Sequence, residues 1–269
     1  MPSISWAETS EERNMSEKKK IAIVTGASSG LGFEFIKHMA ASGKYDEIWA
    51  VARRAERLSA LRSQFGNVIV PVPADLTTDS GIGAVTGKLT AESPDLIALV
   101  NNAGFGTIGD ISESDPMTQG RIVNLNCQAL TVLTTFALRY MRKGSFILNV
   151  CSIASFAPNP RMATYCSTKA YVMSFTRALR FELKKQGINA CAVCPGPMET
   201  EFLPVAGIKK GTSHTFDTLP RCNPDKVALK GLRAAEKGRG VYTPRAFFKF
   251  YRFVAKVLPH GIVMHMSKT

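Results

Sequence analysis

The chain has 269 residues, of which 45% are hydrophobic and 20% charged, and its net charge is +13. That is enough apolar material for a large core in a soluble globular chain, and no stretch approaches the run of about eighteen uncharged apolar residues that a spanning helix needs. The positive excess is local: residues 221–269 hold eleven Lys or Arg against Asp225 and Glu236, or +9, and no nucleic-acid motif accompanies it, so no nucleic-acid partner is expected.

Residues 1–17 are polar, with Pro2 and several Ser and Glu, and read as a disordered leader. No apolar signal region stands at the N-terminus, so the expected compartment is the cytoplasm. Lys20–Thr25 reads as a short buried strand, followed directly by a glycine turn over 26–32. A helix over 31–41 carries Phe35, Ile36 and Met39 as its apolar stripe. Glu47–Ala52 is the second strand, Ala55–Phe65 a second helix, 68–72 the third strand, 83–91 a weak helix and 96–100 the fourth strand. A long helix over 120–141 precedes a strand at 145–150. The next helix, over 164–187, has Val172, Phe175, Leu179 and Leu183 at helical spacing. A strand at 188–193, a loop rich in Pro, Gly and Thr over 195–222, a helix at Pro224–Glu236 and a short strand at Val241–Tyr242 complete the pattern. Short apolar strands alternating with helices predict an α/β fold, a doubly wound parallel sheet of about seven strands with helices on both faces, in one domain.

Six cysteines lie scattered at 127, 151, 166, 191, 194 and 222. Cys191 and Cys194 make a CxxC, but within a strand residues three apart point to opposite faces and cannot form a compact redox pair. With no second CxxC and no histidine nearby, no metal site is expected.

The chemistry sits on the turns. A strand, a glycine turn and a helix together aim backbone N–H groups and a helix N-terminus at a phosphate. Here Gly26 permits the tight turn, Gly30 the close approach of a pyrophosphate, and Gly32 close packing of helix on sheet. Ser28, Ser29 and Leu31 fill the turn between them. The second strand ends in Ala52-Arg53-Arg54, with no acid to bond a ribose 2′-hydroxyl. Arg53, assisted by Arg54, fits a 2′-phosphate instead, which favours NADP(H) over NAD(H). Tyr165 and Lys169 stand four residues apart on one helical face, where the ammonium favours the phenolate and lowers the cost of moving a proton near neutral pH. Asn101-Asn102-Ala103-Gly104 closes the fourth strand and Ser152 follows the fifth, both at carboxyl ends, where ligands bind in open parallel sheets.

These motifs occur in one order: Thr25-Gly-Ala-Ser-Ser-Gly-Leu-Gly32, Asp75-Leu76, Asn101-Asn-Ala-Gly104, Ser152, Tyr165-x-x-x-Lys169 and Pro195-Gly-Pro-Met-Glu-Thr200. Together, over roughly residues 18–243, they resemble the short-chain dehydrogenase/reductase family, of the single-domain type. The resemblance implies a Rossmann-type fold and NADP(H)-dependent hydride transfer between a carbonyl and a secondary alcohol. It implies Tyr165 as general acid/base, Lys169 on the nicotinamide ribose and lowering the tyrosine pKa, and Ser152 on the substrate oxygen. Asn126, with Asn124 as runner-up, would anchor a proton-relay water. Asp75 and Leu76 would flank the adenine, Asn102, Ala103 and Gly104 the adenosine ribose side, and Pro195, Gly196 and Thr200 would close over the nicotinamide. A homodimer or homotetramer, paired through the two long helices, is expected on the same footing.

At the substrate end, Met198 and Phe202 in a mobile cover over 197–222, with Phe105, Ile153 and Phe156, form apolar walls that favour a bulky hydrophobic ketone or alcohol such as a hydroxysteroid. A reductase of 3-oxoacyl thioesters is the alternative, and a silent NADP-binding regulator the outside one. Past the family core, residues 244–269 form a basic amphipathic extension. Phe247, Phe250, Tyr251, Val254, Val257 and Leu258 are placed on one face, and Lys249, Arg252 and Lys256 on the other. Such a stripe is expected to pack on the domain or across a dimer interface, contact with an anionic membrane surface being the less favoured reading.

Overall fold

The structure, a computed structural model, describes residues 18–208, 211 and 214–266. The leader expected over residues 1–17 lies outside the described residues. Seven strands, β1 (Lys20–Thr25), β2 (Glu47–Ala52), β3 (Ile69–Pro73), β4 (Asp95–Asn101), β5 (Phe146–Val150), β6 (Asn189–Val193) and β7 (Val241–Tyr242), form one sheet in the order β3-β2-β1-β4-β5-β6-β7. Every neighbouring pair is parallel.

The strands read as apolar runs because both of their faces are covered. In β1, Ala22 and Val24 pack with Phe35, Ile36 and Met39 of helix Gly30–Ala41 and Val227 and Leu232 of helix Pro224–Glu236. Ile21 and Ile23 point the other way, toward Ile82, Val85 and Leu89 of helix Asp79–Glu92 and Leu133 and Ala137 of helix Leu130–Ala137. Each such Ile or Leu, fully buried, contributes about 1.5–3 kcal/mol relative to exposure. The chain order reverses between β1 and β4, which opens a crevice beyond their carboxyl ends.

Several elements differ from the sequence expectation. The weak helix over 83–91 is a full helix, Asp79–Glu92, capped by Thr78, whose Oγ1 accepts from Gly81 N at 3.0 Å. Gly81, Gly83 and Gly87 dilute its apolar pattern, and tertiary packing of Ile82, Val85 and Leu89 supplies what propensity lacks. The long helix begins four residues early, at Pro116, because Asp115 caps it by accepting from Thr118 N at 2.8 Å. It then passes through a π-helical turn, Asn124–Ala129, before continuing as Leu130–Ala137. The loop over 195–222 carries two short helices, Phe202–Val205 and His214–Thr218, and a bridge between Met198 and Cys222.

The C-terminal extension also differs. Helix Ala246–Val257 seats Phe248 and Ala255 in the protein, and of the expected stripe only Tyr251 and Val254 are half-buried. Phe248 is fully buried, and a Cβ on Gly196 would overlap its ring. Phe250 and Val257 of the expected stripe are instead exposed.

Candidate active site

At the β1 end of the crevice, Gly26 (φ +64°) and Gly30 (φ +53°) take left-handed conformations that suit glycine. A Cβ on Gly32 would overlap the carbonyl of Gly26, so this glycine lets the helix sit against the turn. Asn102 fixes the turn from β4, its Nδ2 donating to Thr25 O and Gly26 O at 2.9 and 3.1 Å. Helix Gly30–Ala41 starts at Ser29 with no side-chain cap and no acid in its first turn. Its first N–H groups and dipole therefore face the crevice, where an anion is favoured.

Arg54 closes over this turn. Its Nη2 donates to Ser28 Oγ and Ser29 Oγ, both at 3.0 Å, and to Glu201 Oε2 at 2.9 Å. Glu201 also pairs with Arg57. That pairing, with Arg54 assisting, holds its carboxyl down to about 2. Arg53 is exposed and lies toward Asp75. Burial pushes the Asp75 carboxyl up, but hydrogen bonds from Thr77 and the charge of Arg53 outweigh it and leave it below the usual range. Arg54, more than Arg53, is thus the arginine built into the glycine turn.

Further along, Ser152, Tyr165 and Lys169 are all buried. Ser152 caps a short turn, its Oγ accepting from Ala154 N at 3.1 Å, and hydrogen-bonds Tyr165. Lys169 Nζ donates to Val150 O at 2.9 Å and stands 5.7 Å from the centre of the Tyr165 ring. The π-helical turn aims Asn126 inward. Its Nδ2 donates to Phe105 O at 2.9 Å and Thr168 Oγ1 at 3.0 Å, and its Oδ1 accepts from Phe105 N at 3.1 Å. It therefore ties the segment after β4 to helix Ala163–Glu182. Asn124 is exposed on the outer face, which removes it as the alternative. The expected lowering of the tyrosine by its lysine is not what the pocket gives. Burial pushes Tyr165 well above its usual range, against the Ser152 hydrogen bond, and the same burial pulls Lys169 down.

All the sequence-predicted residues except Gly32, Asn126 and Phe156 line one cavity of about 910 Å³. It runs from Arg53, Arg54 and Asp75, past Ser152, Tyr165 and Lys169, to an apolar end with Phe105, Ile153, Met198 and Phe202. Phe202 reaches the reactive centre, its ring 5.5 Å from that of Tyr165. Phe156, expected as a wall, instead packs 6.0 Å from Tyr251 and supports the C-terminal helices from behind. Leu31 and Leu76 flank the glycine-turn end, and Ala103, Gly104, Pro195, Gly196 and Thr200 lie between the two ends.

Sequence reasoning missed Phe247, Tyr251, Val254 and Val263, which also line the cavity. It missed the Glu201–Arg57 pair as well. The only signal available for the former was an aromatic-rich helix set outside the expected catalytic domain. Away from the cavity, Cys191 and Cys194 are buried on opposite sides of the sheet, as strand geometry requires. Glu34, His38 and Asp225 cluster at metal-ligand spacing, but Lys37 already supplies a cation there, its Nζ 2.8 Å from Asp225 and 3.3 Å from Glu34.

The family model described as short chain dehydrogenase matches residues 20–209. A short-chain type dehydrogenase/reductase of Sinorhizobium fredii is 33% identical over 216 residues, covering 78% of this chain and 82% of its own. Among solved structures, a short-chain dehydrogenase from Sphingobium yanoikuyae in complex with NADPH is similar, with a TM-score of 0.75 and 29% identity over 89% of this chain and 96% of that one. The bulky-bulky ketone specific alcohol dehydrogenase from Comamonas testosteroni gives a TM-score of 0.71 and 26% identity, covering 93% of this chain and 94% of its own.

Proposed function

The chain belongs to the short-chain dehydrogenase family and is an oxidoreductase, and on that footing we propose that it interconverts a carbonyl and a secondary alcohol with NADP(H), acting on a bulky apolar substrate. One observation carries the reading. A buried Ser152, Tyr165 and Lys169 stand where a cavity with an anion-binding, basic end meets an apolar end.

The residues fit the cofactor. Glycines whose Cβ atoms would obstruct the turn, an uncapped helix N-terminus, and Arg53 and Arg54 following β2 suit a dinucleotide carrying a 2′-phosphate. The similar Sphingobium yanoikuyae protein, solved with NADPH, supports the same choice. Asp75 and Leu76 would flank the adenine, and Pro195, Gly196 and Thr200 the nicotinamide.

Bound there, the reduced cofactor supplies a hydride to the carbonyl carbon. Tyr165 gives its phenolic proton to the carbonyl oxygen, and Ser152 donates a hydrogen bond to that oxygen as its charge grows, a kind of contribution worth about 10²–10³ in kcat where it has been measured. Lys169 has three donors, one of which is used on Val150 O. The others are free for the ribose hydroxyls. Tyr165, like any tyrosine, is protonated near neutral pH and so carries the proton that carbonyl reduction consumes. Asn126 acts as a positioning residue, holding Phe105 and Thr168 in register. The apolar walls, Phe105, Ile153, Met198 and Phe202, and the likeness to the bulky-ketone dehydrogenase support a large ketone as substrate. The working form is a homodimer or homotetramer.

NADPH oxidation against steroid ketones, acyl thioesters and small ketones, repeated with NADH, tests this directly. Bulky ketones with NADPH should give the highest kcat/KM. Tyr165→Phe should abolish turnover and leave NADPH binding nearly unchanged, and turnover retained in that variant would sink the mechanism.

A further inference from the structure

Among the described residues, nothing covers the outward face of helix Ala246–Val257. Phe248 and Ala255 are buried, whereas Phe247, Phe250, Phe253 and Val257 are 53%, 66%, 63% and 62% exposed. Ile262, on the following helix His260–Met266, adds a further exposed apolar side chain at 51%. At about 100° per residue, Phe247, Phe250, Phe253 and Val257 fall within one arc, turned away from the seat of Phe248 and Ala255. Lys249 and Lys256, both exposed, run along the Phe253 edge of that arc. Residues 245–269 contain five Lys or Arg and no Asp or Glu.

We propose that this C-terminal helix pair docks flat on an anionic lipid surface, its aromatic face in the headgroup layer and its lysines on the lipid phosphates. Aromatic and apolar side chains on one face with basic residues beside it are what an interfacial helix requires. Charge decides the occupant. A second copy would bring the same acid-free, basic helix to the contact and set like charges against each other, whereas an anionic bilayer complements them. Each basic residue near such a surface strengthens partitioning by about fivefold. Phe247, Tyr251 and Val254 of this helix also line the cavity, so docking sets one cavity wall against the lipid. Among the described residues no helix is long and apolar enough to cross a membrane, so the contact is peripheral.

The test is sedimentation of the full chain with phosphatidylcholine/phosphatidylglycerol vesicles, compared with pure phosphatidylcholine vesicles, at low and high salt. The chain should partition to the anionic vesicles and be released by salt. Phe250→Glu with Phe253→Glu, and separately Lys249→Glu with Lys256→Glu, should each weaken partitioning by about tenfold or more. All four positions lie outside the cavity lining, so NADPH binding and the far-ultraviolet circular dichroism of both variants should match the parent. No binding of the parent chain at low salt would overturn the proposal, as would binding that neither pair of substitutions weakens. Loss of an oligomer on Phe250→Glu with Phe253→Glu, without any vesicle binding by the parent, would show that the face joins copies of the chain and would equally overturn it.

Discussion

Arg54 is held at the glycine turn by Ser28, Ser29 and Glu201, while its neighbour Arg53 stands exposed. Losing charge-assisted hydrogen bonds to a phosphate costs about 1.5–3 kcal/mol, so Arg54→Ala should raise the NADPH Kd by about 10–100-fold. NADH binding should move little. Glu201→Gln acts in the opposite sense. It removes the carboxylate that engages Arg54, so NADPH should bind more tightly and NADH about as before; fluorescence titration with both nucleotides reads the difference. Gly106 gives a third check. A Cβ there would stand 2.8 Å from Cγ of Tyr165, too close for the ring to keep its place, so Gly106→Ala should lower kcat without unfolding the chain. The reactive residues were legible because type and spacing carry their chemistry: a phenol and an ammonium one turn apart, a serine thirteen residues before the phenol, glycines in a turn after a strand. Glu201 was not legible. It meets Arg57 across 144 residues of sequence, and only the folding back of the segment after β6 brings them together.

Phe248 ties the C-terminal helix to the cavity wall. Its ring is fully buried against Gly196, a residue of the cavity wall. Phe248→Ala should therefore cost about 3–5 kcal/mol of stability and loosen the cavity at the same time, visible as an earlier denaturant midpoint together with a raised NADPH Kd. A change in stability with unaltered cofactor binding would separate the helix from the site. The sheet was readable in the sequence because its strands are buried on both faces and so appear as continuous apolar runs. The C-terminal helix was not placed correctly because nearly all of it is apolar or aromatic outside three basic residues. Periodicity finds a stripe, but the seat is set by the space that Gly196 leaves open, which no local pattern shows. Helix Asp79–Glu92 looked weak for a related reason: three glycines lower its propensity, and the packing of Ile82, Val85 and Leu89 on the sheet overrides them.

At the scale of the whole molecule, two apolar surfaces among the described residues differ in character. One is made by the long helices: Val123 and Val132 are 45% and 40% exposed, and Tyr171 is 41% exposed, its hydroxyl 2.7 Å from Thr131 and its ring stacked on Phe175 at 5.9 Å. Thr131 on that helix is neutral, and Tyr171 bridges to the neighbouring one, so two copies can approach without bringing like charges together. The other is the aromatic face of helix Ala246–Val257, edged by Lys249 and Lys256. If the first surface is where subunits pair, Val132→Glu with Tyr171→Glu should place charge in the contact and shift the protein to monomer in sedimentation velocity. Phe250→Glu with Phe253→Glu should leave the mass unchanged. Tyr165 and Lys169 lie on the same helix as Tyr171, six and two residues before it. Dissociation should therefore lower kcat as well as mass, because helix Ala163–Glu182 loses its outer support while the inner tie from Asn126 to Thr168 remains. A monomer with full activity would show that the inner tie alone holds the reactive residues in place.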